Sequence, residues 1–91
     1  ARFTIEYPFG DIYTRPGLDV KSREIATVAA LTALGNCKPQ LKVHLSAALI
    51  VGCSEEEVKE VLLQMSVYAG FPAALNAMFA FKEVLQERKP E

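Results

Sequence analysis

Three residues in the first half of the sequence carry side chains that could do chemistry together: Glu24, Cys37 and His44. His44 is the only histidine, and imidazole is the one side chain that ordinarily titrates near neutral pH. If a helix begins after the Gly-Asn break at 35–36, Cys37 lies in its first turn and His44 lies two turns later on roughly the same face. Glu24 lies one antiparallel helix back. We therefore expect carboxyl, thiol and imidazole to converge on one sheltered cavity.

Each of these residues also has a purely structural interpretation. The helix dipole and the neighbouring Lys38 favour Cys37 as a nucleophilic or redox thiolate, but it could equally be a small buried residue at a helix start. A lone histidine among apolar neighbours is more often a hydrogen-bonded core residue than a catalyst. Glu24 could act as a general acid or base, or form a salt bridge with Arg15 or Arg23.

Further polar residues could line the same pocket. Gln40 lies between Cys37 and His44, and it occupies the third position after the cysteine, so no Cys-x-x-Cys pair exists here. This excludes a dithiol–disulfide cycle within the helix. Gln64 and Tyr68 share one face of a later helix, where packing in the core or at an interface is the alternative role. Cys53, just before a helix cap, is interpreted as structural.

The elements that must position these residues are predicted to be four helices in two hairpins, with no strand. The first covers 20–34, capped by Asp19 and ended by Gly35-Asn36, and its apolar residues all round predict burial on several sides. The second runs to about Val51, with Asn36 or Lys38 as its cap. Ser54 and Glu57 form a capping box for a third helix to about Tyr68. Pro72 opens a fourth helix to about Glu87.

The fold class is thus all-α, in a single domain over residues 1–91. Residues 2–13 are interpreted as a helix end or an irregular arm, because Pro8 disfavours a continuous helix. The inward positions of the last two helices are predicted from their spacing. They are Val58, Val61, Leu62, Met65, Ala73, Ala77, Ala80, Phe81 and Val84.

Composition limits the classes of partner. Lys and Arg total 10 against 11 Asp and Glu, and no basic stripe exists, which argues against nucleic acid. No apolar run reaches the ~20 residues of a membrane span, and no signal peptide is visible. Two cysteines suggest reduced thiols in the cytoplasm. Because 51% of the residues are hydrophobic, more than one small core needs, we expect an obligate homo-oligomer.

Two stretches resemble the carboxymuconolactone decarboxylase family, which includes the alkylhydroperoxidase D-like proteins. They are FGDIYTRPGLDVKSREIATVAALTALG and LKVHLSAALIVGCSEEEVKEVLLQMSVYAGFPAALNA, which together cover most of residues 9–77. The resemblance implies a helical hairpin bundle that assembles into dimers, trimers or hexamers. Members usually carry further N-terminal helices, so it also implies that this sequence lacks part of that region.

The family has two chemistries. Its peroxidase branch uses Glu, Cys-x-x-Cys and His; here Cys37 matches the first cysteine and His44 the histidine, whereas Gln40 replaces the second cysteine. The decarboxylase branch lacks the cysteine pair and needs no cofactor or metal. The resemblance therefore implies first a lyase acting on a small carboxylated lactone, with His44 as proton donor, Glu24 as its partner and Arg15 or Arg23 as carboxylate anchor.

Two alternatives remain open. The first is a peroxidase, of peroxiredoxin type, in which Cys37 is oxidised and a thiol from elsewhere resolves it. The second is a helical oligomer that binds a small ligand without turnover.

Overall fold

The computed structural model describes residues 10–88 as an all-α bundle, and no strand occurs within this range. Its four helices are α1, Val20–Leu34; α2, Lys38–Ile50; α3, Glu55–Tyr68; and α4, Phe71–Arg88. The α1–α2 and α3–α4 hairpins pack against each other, with α1 against α3 and α2 against α4. The prediction of four helices in two hairpins is confirmed.

Helix α1 begins and ends as its sequence predicts. The Asp19 side chain accepts a hydrogen bond from the Ser22 N–H at 2.6 Å, which satisfies a donor that the helix leaves open. At the other end Gly35 adopts a left-handed conformation, with φ 78°, and its N–H bonds to the Leu31 carbonyl. A glycine reaches this conformation without the clash that a Cβ would cause.

Helix α2 corrects the predicted cap. Cys37 is the N-cap, and neither Asn36 nor Lys38 holds that position. The Cys37 carbonyl accepts the first intrahelical bond, from the Leu41 N–H at 2.8 Å, and Pro39 falls in the first turn, where its missing N–H is not needed. Cys37 therefore lies just outside the first turn.

The second hairpin follows its predicted signals closely. Ser54 accepts from the Glu57 N–H at 3.0 Å, and the Glu57 carboxylate accepts from the Ser54 N–H at 2.8 Å, which confirms the capping box. Helix α4 begins at Phe71, one residue before the predicted Pro72. Gly70 makes the connection with φ 94°.

The core lies where the two hairpins meet, and its largest fully buried apolar side chains are Phe81, Leu45, Leu62 and Val28. Val58, Ala77, Ala80 and Val84 are buried as predicted, whereas Val61, Met65 and Ala73 are only partly buried.

Helix α1 differs from the prediction of burial on several sides. Only Glu24, Val28 and Thr32, spaced four residues apart, are buried. Ala26 and Ala30 are exposed, because only one face of α1 meets the other helices of this chain. The apolar character of its other faces is therefore not explained by the core of a single chain.

The segment before α1 is described only in part. The interpretation of residues 2–9 as an arm lies outside the described residues. Residues 10–12 form a short helical turn, and the Thr14 hydroxyl donates to the Gly10 carbonyl at 2.7 Å. Within residues 10–88, no helix is both long and apolar enough to cross a membrane.

Candidate functional site

The first two helices meet through a carboxylate and an imidazole. Oε1 of Glu24, on α1, lies 2.7 Å from Nδ1 of His44, on α2. Glu24 is only 2% exposed, while 18% of the His44 side chain is exposed. The buried carboxyl therefore lies behind an imidazole that solvent or a small molecule can reach.

This contact fixes which ring nitrogen faces the carboxylate. When the Glu24 carboxyl is ionised it only accepts hydrogen bonds, and Nδ1 of His44 is then the donor. The other ring nitrogen, Nε2, is then the atom suited to exchange a proton with a bound molecule. Such a pairing orients the ring and stabilises the imidazolium form when it arises, as the carboxylate of a catalytic triad does.

Tyr13 belongs to the same region, and the sequence interpretation did not single it out. Its hydroxyl lies 2.5 Å from Oγ1 of Thr27, which is one turn after Glu24 on α1. The Thr27 proton is already donated to the Arg23 carbonyl at 2.8 Å, so Tyr13 is the donor in this bond. Burial raises the pKa of Tyr13, and the negative charge of Glu24 raises it further.

Arg23 holds the turn that follows Tyr13 by hydrogen bonds to its backbone. Its Nε donates to the Leu18 carbonyl and its Nη2 to the Arg15 carbonyl, each at 3.1 Å. These bonds tie the turn at residues 15–18 to α1. Among the described residues, the ion pair that Glu24 forms is with His44, so the predicted alternative of a salt bridge with Arg15 or Arg23 is wrong.

Cys37 lies apart from the carboxylate–imidazole pair. It lines a cavity of about 270 Å³ between the end of α1, the start of α2 and one face of α4. The lining residues are Leu31, Thr32, Gly35, Cys37, Lys38, Leu41, Ala73, Asn76, Phe79 and Ala80. Neither Glu24 nor His44 is among them. His44 lies seven positions after Cys37, a rise of about 10 Å along the axis of α2.

The structure thus brings together two of the three residues expected to converge. The Cys37 thiol donates to Oδ1 of Asn36 at 3.1 Å. Cys53 is buried between the hairpins, and burial raises the pKa of its thiol, with smaller contributions from the charges of Glu57 and Glu24. Neither sulfur is placed beside His44 by these contacts.

The remaining predicted binding residues lie on the outside of this chain. Gln40 is exposed in the first turn of α2, and Gln64 and Tyr68 are exposed on α3, where Tyr68 keeps 78% of its surface. Between residues 10 and 88 no three His, Cys, Asp or Glu side chains are grouped as metal ligands.

The site is therefore that of a helical protein with a buried acid behind a reachable imidazole. Residues 1–83 match the model of the carboxymuconolactone decarboxylase family. The chain belongs to this family, as the sequence resemblance indicated.

Three relatives show how far the similarity extends. The chain is 38% identical over 85 residues to 4-carboxymuconolactone decarboxylase of Acinetobacter baylyi, which covers 93% of this chain and 63% of that protein. It is 35% identical over 88 residues to an uncharacterized 15.0 kDa protein of Paracoccus denitrificans, covering 96% and 66%. It is 29% identical over 82 residues to nitrosuccinic acid decarboxylase of Metarhizium robertsii, covering 90% and 57%. The chain thus spans less than two thirds of the length of each of these relatives.

Proposed function

We propose that this protein is a cofactor-free carboxy-lyase that removes carbon dioxide from a small carboxylated lactone or a similar acid. The observation that carries the proposal is the 2.7 Å contact between buried Glu24 and half-buried His44. Two of the relatives are named for decarboxylation of a small acid, one with a lactone group and one with a nitro group.

The reaction requires one proton transfer, to the carbanion that remains when carbon dioxide leaves. As the bond between the carboxylate carbon and the ring breaks, its electron pair moves into the conjugated lactone and carbon dioxide leaves. The resulting dienolate then needs a proton on carbon, which Nε2 of the His44 imidazolium donates. Glu24 holds Nδ1 and stabilises the positive charge on the ring until the proton is transferred. Water returns the proton to His44 after the product leaves.

Glu24 acts in this scheme as a positioning residue. It is 2% exposed, so a substrate reaches His44 and not the carboxylate itself. A buried negative charge behind the ring favours the tautomer that presents Nε2 to the substrate. The same charge would repel a substrate carboxylate. A cation that binds this carboxylate must therefore come from another part of the chain.

Arg15 is the better candidate for the substrate's carboxylate anchor. Arg23 already donates to two backbone carbonyls, one of them that of Arg15 itself. The Arg23 guanidinium therefore holds the turn at residues 15–18 in place. Arg15 is exposed on that turn, and its guanidinium is not used to hold the turn. A planar guanidinium matches a carboxylate through two parallel hydrogen bonds.

No contact among residues 10–88 favours the peroxidase alternative. Such a mechanism needs a thiol beside the proton-carrying group, and Cys37 lines a cavity that does not include His44. Cys53 is buried and its pKa is raised, which makes it a poor resolving thiol.

Turnover of defined compounds tests the proposal. The chain is incubated without added metal or cofactor with 4-carboxymuconolactone, and separately with an organic hydroperoxide and a dithiol reductant. We expect carbon dioxide release from the lactone and no peroxide loss above that of a Cys37→Ser variant. Thiol-dependent peroxide loss without carbon dioxide release would contradict the proposal, and binding of the lactone without turnover would favour the non-catalytic alternative.

A further inference from the structure

The cavity that contains Cys37 is separate from the carboxylate–imidazole pair, because neither Glu24 nor His44 lines it. It measures about 270 Å³ and lies between the end of α1, the start of α2 and one face of α4. Pockets for drug-sized ligands measure ~300–1,000 Å³, so this cavity suits a smaller molecule. The proposed decarboxylation does not use this space.

Most of the cavity wall is apolar. Its largest apolar side chains are Leu31 on α1, Leu41 on α2 and Phe79 on α4. Two residues with small side chains, Ala73 and Ala80, leave room against α4. Phe79 is 61% exposed, so an apolar molecule that enters the cavity removes some of its surface from water. This removal favours the binding of an apolar ligand body.

The charge in the cavity lining is positive. Among the described residues that line the cavity, Lys38 alone is charged. Its Nζ donates a hydrogen bond to Oε2 of Glu83, on α4, at 2.9 Å. An ammonium group carries further N–H donors, so this bond leaves Lys38 able to donate to an acceptor inside the cavity.

Glu83 does not rely on Lys38 alone for a cation. Its Oε1 accepts from Nζ of Lys42, on α2, at 3.2 Å, and Lys42 also donates to Glu87 at 2.8 Å. The bonds from Lys38 and then Lys42 lower the pKa of Glu83, which keeps this carboxyl ionised. If Lys38 turns towards an anion in the cavity, Glu83 therefore still has Lys42 as its partner.

The neutral polar groups of the lining favour a ligand that accepts hydrogen bonds. The Thr32 hydroxyl donates to a carbonyl one turn back on α1 at 2.8 Å, and the Cys37 thiol donates to Oδ1 of Asn36 at 3.1 Å. The protons of these two groups are thus already used. The side-chain amide of Asn76 brings N–H donors to the cavity beside those of Lys38. A carboxylate, which only accepts, matches both.

We propose that this cavity is a second ligand site, which binds a small monocarboxylate with an apolar body. The carboxylate accepts hydrogen bonds from Lys38 and Asn76, and a ring or short chain packs against Leu41 and Phe79. A second carboxylate at the far end of the ligand would meet the apolar wall without a donor, so dicarboxylates bind less well. The site does not depend on the proposed reaction, because the pair that carries that reaction lies outside its lining.

Protection of Cys37 from alkylation tests the site. Cys37 lines the cavity, so a ligand bound there shields its thiol from iodoacetamide. Mass spectrometry of the peptides measures the alkylation of Cys37 separately from that of Cys53. The probe is benzoate, and benzyl alcohol, of similar size without the charge, is the neutral comparison. We expect benzoate to slow the alkylation of Cys37 in a saturable way, and benzyl alcohol to protect only at several-fold higher concentration.

Two lysine variants separate the cavity from the charges around it. Lys38→Met removes the cation that lines the cavity, whereas Lys42→Met removes a cation that contacts the same Glu83 from outside the lining. The Lys38 side chain is 62% exposed. We therefore expect Lys38→Met to raise the benzoate concentration for half-protection about fivefold, the upper range for an exposed ion pair. Lys42→Met should leave this concentration close to that of the unaltered chain.

The same assay distinguishes this site from the proposed catalytic site. His44→Gln should leave the protection by benzoate unchanged, because His44 does not line the cavity. Ala73→Leu fills part of the cavity and should weaken the protection. Circular dichroism checks that each variant keeps its helices.

Absence of saturable protection by benzoate would overturn the proposal. So would equal protection by benzyl alcohol, or equal effects of Lys38→Met and Lys42→Met, because the lysine of the cavity would then not hold the anion. Loss of protection in His44→Gln would place the acid at the Glu24–His44 pair. That result would overturn the second site and leave the proposed function standing, whereas protection without any carbon dioxide release would do the reverse.

Discussion

The contact between Glu24 Oε1 and His44 Nδ1, 2.7 Å long, joins α1 to α2 at a point where the carboxyl is almost fully buried. Each helix supplies one half of the pair, so the packing of the first hairpin sets the geometry of the site. An unpaired buried carboxylate would be strongly destabilising, and the hydrogen bond to the imidazole offsets part of that cost. The pair thus stabilises the hairpin and, in our proposal, also carries out its chemistry.

Glu24→Gln should separate the structural role from the chemical one. The amide oxygen can still accept from Nδ1 of His44, but the negative charge that stabilises the imidazolium is lost. We expect kcat for decarboxylation to fall about 10²-fold, the lower end of what positioned acid–base groups contribute. KM should change little, because buried Glu24 does not touch the substrate. Steady-state kinetics measures both quantities.

Glu60→Gln is the matched control, since Glu60 is exposed on α3. It should leave kcat and the urea midpoint unchanged. Glu24→Ala, by contrast, leaves the His44 donor without its partner and should lower the free energy of unfolding by about 1–3 kcal/mol. A Glu24→Gln enzyme with wild-type kcat would remove Glu24 from the mechanism.

Tyr13 should make stability fall at alkaline pH. Burial raises its pKa in the folded state, so the folded chain holds this proton more tightly than the unfolded chain does. The resulting stabilisation is present at pH values below the ordinary pKa of tyrosine. It is lost as the pH rises through the raised pKa of the folded chain. Urea unfolding at about pH 8 and about pH 11 should therefore show a smaller alkaline loss in Tyr13→Phe than in the unaltered chain.

Tyr68→Phe serves as the comparison, because Tyr68 is 78% exposed. Its alkaline loss should match that of the unaltered chain. If Tyr13→Phe and Tyr68→Phe give the same pH dependence, then Tyr13 is not buried in solution as it is in the structure.

The capping box should contribute measurably to stability. Ser54→Ala removes the oxygen that accepts the Glu57 N–H, and we expect the free energy of unfolding to fall by about 1 kcal/mol. Ser66→Ala on the same helix should change it by less than ~0.5 kcal/mol. Equal effects of the two substitutions would contradict the assignment of the cap.

Acid should weaken the same cap. The Ser54 backbone N–H, and then Lys21 at 3.2 Å, lower the pKa of Glu57. A lowered pKa means that this stabilisation is present above the ordinary glutamate range and is lost as pH falls through the folded value. The drop in stability below about pH 4 should accordingly be smaller in Glu57→Gln than in the unaltered chain.

Local signals allowed most of the fold to be predicted. Asp19, Gly35 and Ser54 mark helix ends by short-range bonds that depend only on neighbours in sequence, and the structure confirms each. The start of α2 was wrong because Asn36 and Lys38 were the two caps predicted, whereas Cys37 between them holds that position. The predicted burial of α1 was wrong for another reason, since apolar composition does not distinguish a helix face that meets the core from one that stays exposed in this chain.

The site was only partly predictable for a related reason. Helical spacing placed Cys37 and His44 on one face, and family resemblance linked Glu24 to His44, but neither indicates which cavity a side chain enters. Cys37 lines a space formed by the end of α1, the start of α2 and one face of α4. Tyr13 was missed because its contact with Thr27 depends on how a turn folds back, and no periodic pattern signals that.

Carbon dioxide release by His44→Gln and Cys37→Ser, assayed side by side on 4-carboxymuconolactone, tests the central claim most directly. If the imidazole donates the proton, His44→Gln should lower kcat by about 10²- to 10⁴-fold, while Cys37→Ser keeps kcat near that of the unaltered chain. Full turnover by His44→Gln, or its loss in Cys37→Ser alone, would contradict a mechanism based on the Glu24–His44 pair.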